Sequence, residues 1–277
     1  MKLFEPFSLG TNLCLGYTLE EALELVKLSG FEYAELSSIV NMCEHIDPKK
    51  ITDEYIEQII ELLSKTGIKC HAVSGHVDLT IEEQFQDFLK KIEFAGKIGA
   101  KIINTNSGPL ERIEIFHKNM VKIIEHAERY NVIIGLESHG DIIGTAKDSI
   151  HIFKRYNHPL VRLNYDTGNT YFYCNGNITV EEDIKYGLEY MEHLHLKDIH
   201  IGGNQVEYRP IGGGDINFEK VFDVLKDFGK TIPCGLEIPT HVKGVLGAIK
   251  PTNVPMSREA ILADVKQSTD YIKKLLV

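Results

Sequence analysis

Four residues, each closing a short apolar run, carry the chemistry that the sequence offers. Glu137 closes Ile133-Ile-Gly-Leu-Glu, Asp166 closes Leu163-Asn-Tyr-Asp, His195 closes His193-Leu-His, and Glu237 closes Cys234-Gly-Leu-Glu. If these runs are strands of one parallel barrel, their last residues meet at its mouth, and residues two apart share a face. Gly-Leu-Glu occurs at 135–137 and again at 235–237, so in both the Leu turns outward to the helices and the Gly lies beneath the Glu on the inner face. Two Glu, one Asp and one His around one opening form an oxygen-rich site for a single divalent ion, with Mn²⁺ the first expectation and Co²⁺, Mg²⁺ or Zn²⁺ the others. Taken singly, each residue has a plainer role: a Glu paired with a cation, an Asp capping a turn, a His satisfied in a core. Four of them on consecutive runs, all at the same end, favour the joint reading. Such an ion makes a proton beside a carbonyl removable. It acts as a Lewis acid on the oxygen, while a carboxylate takes the proton from carbon.

Further polar residues fall near the same mouth. His139 lies two past Glu137 and Lys197 two past His195, so each shares its neighbour's face and can meet a substrate hydroxyl or an anionic group. His76 and Asn106 end two earlier runs. Arg209, in Tyr208-Arg-Pro-Ile-Gly-Gly-Gly214, can close over substrate or take a phosphate. The glycine run at 212–214 would let backbone amides approach an anion, although no Lys-Ser/Thr pair follows it. A solvated surface role or a supporting hydrogen bond is the competing reading for each. His193 and His200 lie close by without an assigned role.

The elements that must position these residues alternate along the whole chain. Strand runs fall at 6–13, 33–39, 69–76, 101–107, 132–138, 161–166, 192–197 and 233–238, separated by stretches of helical period. In 81–98, Ile81, Phe85, Phe88, Leu89, Ile92 and Ala95 recur at threes and fours, and in 113–130 so do Phe116, Met120, Val121, Ile123, Ile124 and Ala127. Thr18 and Thr52 each precede acidic first turns, the signature of helix caps. Eight strand–helix units predict an α/β fold, a closed (β/α)8 TIM barrel forming one domain over residues 1–277. An open doubly wound sheet loses its main support because no G-x-G-x-x-G follows an early strand. The longest irregular stretch, 202–215, reads as an active-site loop.

Composition narrows the function classes. The 277 residues, 43% hydrophobic and 25% charged, are enough to bury a core without disulfides. A net charge of −10 disfavours a nucleic-acid partner. Five scattered cysteines with no C-x-x-C fit a reducing cytoplasm, the start lacks a signal-peptide apolar segment, and no run of apolar residues is long enough to span a membrane.

Gly-Leu-Glu137, Asn-Tyr-Asp-Thr-Gly-Asn169, His-Leu-His-Leu-Lys-Asp198 and Gly-Leu-Glu237, with Gly10-Thr-Asn12 on the opening strand, resemble the xylose-isomerase-like barrels. Within these, the chain looks most like the sugar phosphate isomerase/epimerase group that includes ketose 3-epimerases and inosose dehydratase relatives. The resemblance spans nearly the whole chain. It implies that Glu137, Asp166, His195 and Glu237 ligate one metal ion, that Glu137 and Glu237 also move the proton through a metal-stabilised enediolate, that a sugar or sugar derivative is isomerised or epimerised, and that the chain forms a homodimer. Two places depart from the ketose 3-epimerases: Asn169 stands where they carry a His, and Ile201 where they carry an Arg. These departures bear on the substrate rather than on the barrel or the metal. A lyase of the same superfamily, inosose dehydratase-like or C-glycoside-cleaving, begins with the same proton abstraction. A barrel that binds sugar or metal without turnover is a third reading. An apurinic-site endonuclease with three zinc ions is a fourth, but it needs extra histidines where Asn106 and Asn169 stand, and Asp198-Ile-His200 lies too close to His195 to supply its loop motif.

Overall fold

Eight parallel strands close on themselves in a computed structural model that describes residues 2–40, 42–251 and 255–277. They are β1 (Phe4–Gly10), β2 (Tyr33–Ile39), β3 (Lys69–Ser74), β4 (Ile102–Thr105), β5 (Ile133–Glu137), β6 (Val161–Asp166), β7 (Met191–Leu196) and β8 (Ile232–Leu236). Each pairs in parallel with the next, and β1 pairs with both β2 (Gly10 opposite Glu35) and β8 (Ser8 opposite Gly235), which closes the ring. The chain is therefore a TIM barrel, as the strand–helix alternation predicts. The observed strands lie within one to three residues of the expected runs. The first departs most: residues 11–14 leave the sheet as a 3-10 turn, because the Thr11 hydroxyl accepts from the backbone amide of Ser37 at 2.9 Å.

Helices α1 (Leu19–Leu28), α2 (Asp53–Thr66), α3 (Glu82–Lys97), α4 (Ile113–Tyr130) and α5 (Ala146–Tyr156) connect the first six strands. A short α6 (Thr167–Tyr173) and then α7 (Val180–Gly187) follow β6, α8 (Phe218–Phe228) precedes β8, and α9 (Arg258–Leu275) covers the closing seam. Thr18 caps α1 in a reciprocal arrangement with Glu21, and Thr52 caps α2. The helical period places Phe85, Phe88, Ile92, Phe116, Met120 and Ile123 in the core. Val121 is an exception at 59% exposed: it stands one residue, about 100°, from Met120 and so falls off the buried face.

The reading of 202–215 as irregular is corrected. Asp198–Gly202 and Gln205–Arg209 form an antiparallel hairpin, and Val242–Val245 with Ala248–Pro251 forms a second that extends it into a four-stranded sheet beside the barrel mouth. The turn is made at Gly203 (φ +62°), and the buried Val206 and Tyr208 alternate with more exposed Gln205 and Glu207. The strand on its other edge, Val242–Val245, is supplied by residues some forty positions later, which no local pattern reveals.

The glycines of the repeated Gly-Leu-Glu motif make room inside the barrel. A Cβ at Gly135 would stand 2.1 Å from Asn104 Oδ1, and one at Gly235 would stand 2.5 Å from Glu35 Oε2. The interior is thus crossed by polar side chains from facing strands, while Leu136 and Leu236 are buried in the apolar shell outside.

Lys91 of α3 is another polar group in this shell, fully buried, with its ammonium donating to the carbonyls of Ser38 (2.6 Å) and Gly75 (3.3 Å). Burial pushes its pKa down from 10.5 to about 8. Below that value both folded and unfolded chains carry the proton. Between about 8 and 10.5 the unfolded chain binds more protons, so this residue makes stability rise with pH. Urea midpoints of the wild type relative to Lys91→Met should therefore shift in favour of the wild type across that window. A constant difference would mean that the lysine titrates normally.

Candidate functional site

The structure brings Glu137, Asp166, His195 and Glu237 together: one donor atom from each lies within 4.8 Å of the others, and all four residues are buried. The cause is register. Glu137 and Asp166 end β5 and β6, Asp166 stands opposite His195 of β7, and Glu237 directly follows β8, whose Gly235 stands opposite His195.

Each group is held by a neighbour. Glu137 accepts from the side-chain amides of Asn164 (2.6 Å) and Asn169 (2.8 Å), one on each oxygen. Glu237 Oε1 accepts from Asn12 Nδ2 at 2.6 Å, and Asp166 Oδ1 accepts from the backbone amide of Asn169 at 2.8 Å. His195 turns Nε2 to Glu35, 3.0 and 3.1 Å from its two oxygens. That leaves Nδ1 facing Glu137 Oε2 (3.1 Å), Asp166 Oδ2 (3.4 Å) and Glu237 Oε2 (3.6 Å).

Three carboxylates buried this closely need positive charge. Lys197 supplies part of it, with Nζ 2.7 Å from Asp166 Oδ2 and in contact with Glu237 Oε2. Its angles leave both of those oxygens without a well-formed hydrogen bond. Two buried, under-satisfied carboxylate oxygens beside an imidazole nitrogen and a third carboxylate fit the donor set of a divalent ion.

The ionisation pattern follows from the same contacts. Burial opposes the charged form of His195, but Glu35, Glu237 and Glu137 outweigh it and raise its pKa well above the ordinary value. Burial likewise opposes the ammonium of Lys197, yet Asp166 and Glu237 hold it protonated. Against burial, Lys197 and His195 hold Asp166 far below the carboxylate range, and His76 and His195 lower Glu137. Burial pushes Glu237 upward in spite of Lys197. The two glutamates are therefore shifted in opposite directions.

A cavity of about 270 Å³ opens beside the cluster, just below the usual size of ligand pockets. Glu137, Glu237 and Lys197 are among its lining residues. His76, Asn106 and His139 line one side, with His76 Nδ1 donating to Asn106 Oδ1 at 2.9 Å and the Tyr173 hydroxyl 3.1 Å from His139 Nε2. Ile39, Met42, Tyr208, Pro239 and Val242 make the apolar side.

Arg209 lies apart from these. Its guanidinium donates to Glu207 at 2.5 Å, and the cavity wall on that strand is its neighbour Tyr208. The amides at 212–214 are also engaged: Asp198 Oδ2 accepts from Gly212 (2.8 Å) and Gly214 (2.9 Å). His200 pairs with Asp215 on the outer surface. His193 is fully buried with its pKa pushed down to about 3, and Nδ1 donates to Asn164 Oδ1 at 3.0 Å.

Sequence reasoning gave no site role to Glu35, Asn12, Asn164, Tyr173 or Tyr208. Glu35 carried a signal, as an acidic residue inside the apolar run Tyr33-Ala-Glu-Leu. Asn169, noted only as a departure from a related pattern, is a working contact: it donates to Glu137 and accepts from Lys197 at 3.2 Å.

Comparison with known proteins agrees with the barrel fold. The chain is 22% identical over 236 residues to L-ribulose-5-phosphate 3-epimerase UlaE of Escherichia coli O1:K1, covering 79% of this chain and 81% of that protein. Among solved structures, the IOLI protein with a bound zinc atom superposes with a TM-score of 0.75 at 18% identity, covering 99% of both chains. A xylose isomerase-like TIM barrel protein from Mycobacterium smegmatis in complex with magnesium superposes with a TM-score of 0.70 at 17% identity, covering 95% of this chain and 97% of that one. The sequence profile that describes the xylose isomerase-like TIM barrels matches residues 23–263, and the chain belongs to that family.

Proposed function

We propose that this chain is a sugar isomerase or epimerase that works with one divalent metal ion held by Glu137, Asp166, His195 and Glu237. The observation that carries the reading is the buried four-residue cluster with donor atoms within 4.8 Å, two of whose members, Glu137 and Glu237, line an open cavity. Bound there, the ion would supply a Lewis acid for a sugar carbonyl and its neighbouring hydroxyl, stabilising the enediolate left after proton loss.

The protein's own groups do the rest. Glu137 and Glu237, entering from β5 and β8, remove and return the proton on carbon, and Asn12, Asn164 and Asn169 fix the orientation of their carboxyl groups. Lys197 keeps positive charge beside Asp166 and Glu237. His76, Asn106 and His139 offer hydrogen bonds to substrate hydroxyls from the cavity wall.

Mn²⁺ is our first choice of ion, because three carboxylates and one imidazole form a mostly hard-oxygen set, with Co²⁺, Mg²⁺ and Zn²⁺ next. All five cysteines are unpaired, which supports a reducing cytoplasmic setting. No helix among the described residues is long and apolar enough to cross a membrane. The homodimer rests on the family resemblance, and the acidic charge argues against nucleic acid as partner.

Metal content of protein purified without chelator, measured by plasma mass spectrometry, tests the reading. About one transition-metal ion per chain is expected. Incubation with keto-sugars in D2O should then place deuterium on the carbon beside the carbonyl. Loss of water from the sugar instead would make the enzyme a lyase. Close to three zinc ions per chain would point to the nuclease chemistry of related barrels. No metal, with no stabilisation on adding it back, would overturn the ligand assignment.

A further inference from the structure

Two residues of the cavity wall directly follow backbone carbonyls that share one donor. Ile39, the last residue of β2, follows Ser38, and His76 follows Gly75 just beyond β3. The ammonium of Lys91, on α3 outside the barrel, donates to both carbonyls, at 2.6 Å and 3.3 Å. One helix side chain thus spans the ends of two strands that pair with each other as far as Ser37 and Ser74.

Each carbonyl stands at the root of a different wall. Beyond Ser38, the Met42 amide donates to the Ile39 carbonyl at 3.1 Å, and Cys43–Glu44 pairs back onto Ser38 and Ile39. Ile39 and Met42 then line the apolar side of the cavity. On the other strand, the Gly75 amide donates to the Asn104 carbonyl at 2.8 Å, which fixes the backbone against β4. A Cβ at Gly75 would stand 2.8 Å from Ile103 Cδ1 and 3.5 Å from Lys91 Cδ, so the strand end is packed between β4 and the lysine stem. His76 leaves from there toward the polar side, with Nε2 3.6 Å from Glu137 Oε2.

Filling space does not require a lysine at this place. Lys91 is fully buried, and a methionine would cover the same surface without taking an ammonium out of water. What the ammonium adds is charge-assisted donation to two carbonyls at once, roughly twice as strong as a neutral hydrogen bond. Among the described residues, the charged groups that bear on it are Asp87, one turn earlier on α3, and Glu44 beside β2, and both favour the ammonium against burial. Asp87 is itself paired with Lys49 at 2.8 Å and Lys90 at 3.7 Å.

We propose that Lys91 is a positioning residue: by holding the Ser38 and Gly75 carbonyls together, it sets the spacing between the apolar wall of Ile39 and Met42 and the polar wall that carries His76. The inference concerns the shape of the cavity, so it stands or falls independently of the isomerase/epimerase reading. The lysine's lowered pKa, about 8, makes the hold adjustable, because the neutral amine keeps its N–H groups but loses the charge that strengthens them.

The test is nuclear magnetic resonance of the Mg²⁺-loaded protein carrying isotope-labelled methionine and histidine. The Met42 methyl and the His76 amide are the reporters, assigned through Met42→Leu and His76→Gln, and the Met120 methyl, buried in α4, is the control. As pH rises through about 8, both reporters should shift together with one midpoint while Met120 stays in place. Lys91→Met should abolish that step and leave both reporters displaced from their low-pH positions. Lys91→Arg, whose guanidinium stays charged throughout, should abolish the step as well, and it serves alone if the methionine variant does not fold. Absence of a shared step in the wild type, or its persistence in Lys91→Arg, overturns the proposal.

Discussion

Glu137→Gln and Glu237→Gln should each lower proton exchange between sugar and solvent by about 10³-fold or more, with the barrel still folded. Positioned acid–base groups alone contribute about 10²- to 10⁴-fold, and each of these residues is also assigned to the metal. Glutamine keeps the shape of the side chain and one acceptor oxygen, so Asn12 can still donate at position 237 and Asn169 at position 137. Glu237 is pushed upward by burial, so the metal-free Glu237→Gln variant should melt at or above the wild-type temperature. Glu137→Gln instead gives up a carboxylate that His76 and His195 stabilise, and it should melt somewhat lower while remaining folded. Exchange rate and melting temperature, measured on the same preparations, separate a catalytic loss from a folding loss. Full activity in either variant would end the two-glutamate mechanism.

The second large effect should come from Glu35, which touches neither the cavity nor the other carboxylates of the cluster. It accepts from Ser74 Oγ (2.7 Å) and Asn104 Nδ2 (2.8 Å), and it faces His195 Nε2. With Nε2–H donated to Glu35, Nδ1 is the nitrogen that can give up its proton and take a metal. A carboxylate partner fixes the ring's tautomer and orientation and raises its basicity. Glu35→Gln should weaken divalent-metal affinity by about 10- to 100-fold, the usual loss when such a partner is removed. Calorimetric titration with Mn²⁺ and the visible absorption of bound Co²⁺ would both report it. Unchanged affinity and an unchanged Co²⁺ spectrum would show that His195 is oriented by its strand alone.

The two predictions differ in how visible their residues were in the sequence. Glu137 and Glu237 stand at the ends of runs whose pattern is local: alternation sets which side chains face inward, and the end of the run sets the height in the barrel. The same logic marks Asp166, His195, Lys197 and His139 from single strands. Glu35 obeys it as well, but its meaning lies 160 residues away, at His195, and a strand read alone does not name its partner across the barrel.

The amino-acid sequence by itself determined the alternation of strands and helices, the caps of α1 and α2, and the inward parity of the four clustered residues. These depend on contacts between near neighbours and on side-chain periods of two and 3.6. Barrel closure decided the rest. It set Glu35 behind His195, turned Lys197 onto Asp166 and Glu237, and placed Asn12 of the first strand's end beside Glu237 after the last. It also brought 242–245 alongside 205–207, converting an apparent loop into a sheet and withdrawing Arg209 from the cavity that Tyr208 lines. Local periodicity specifies which way a side chain points, whereas its partner is chosen by the ring that brings distant strands together.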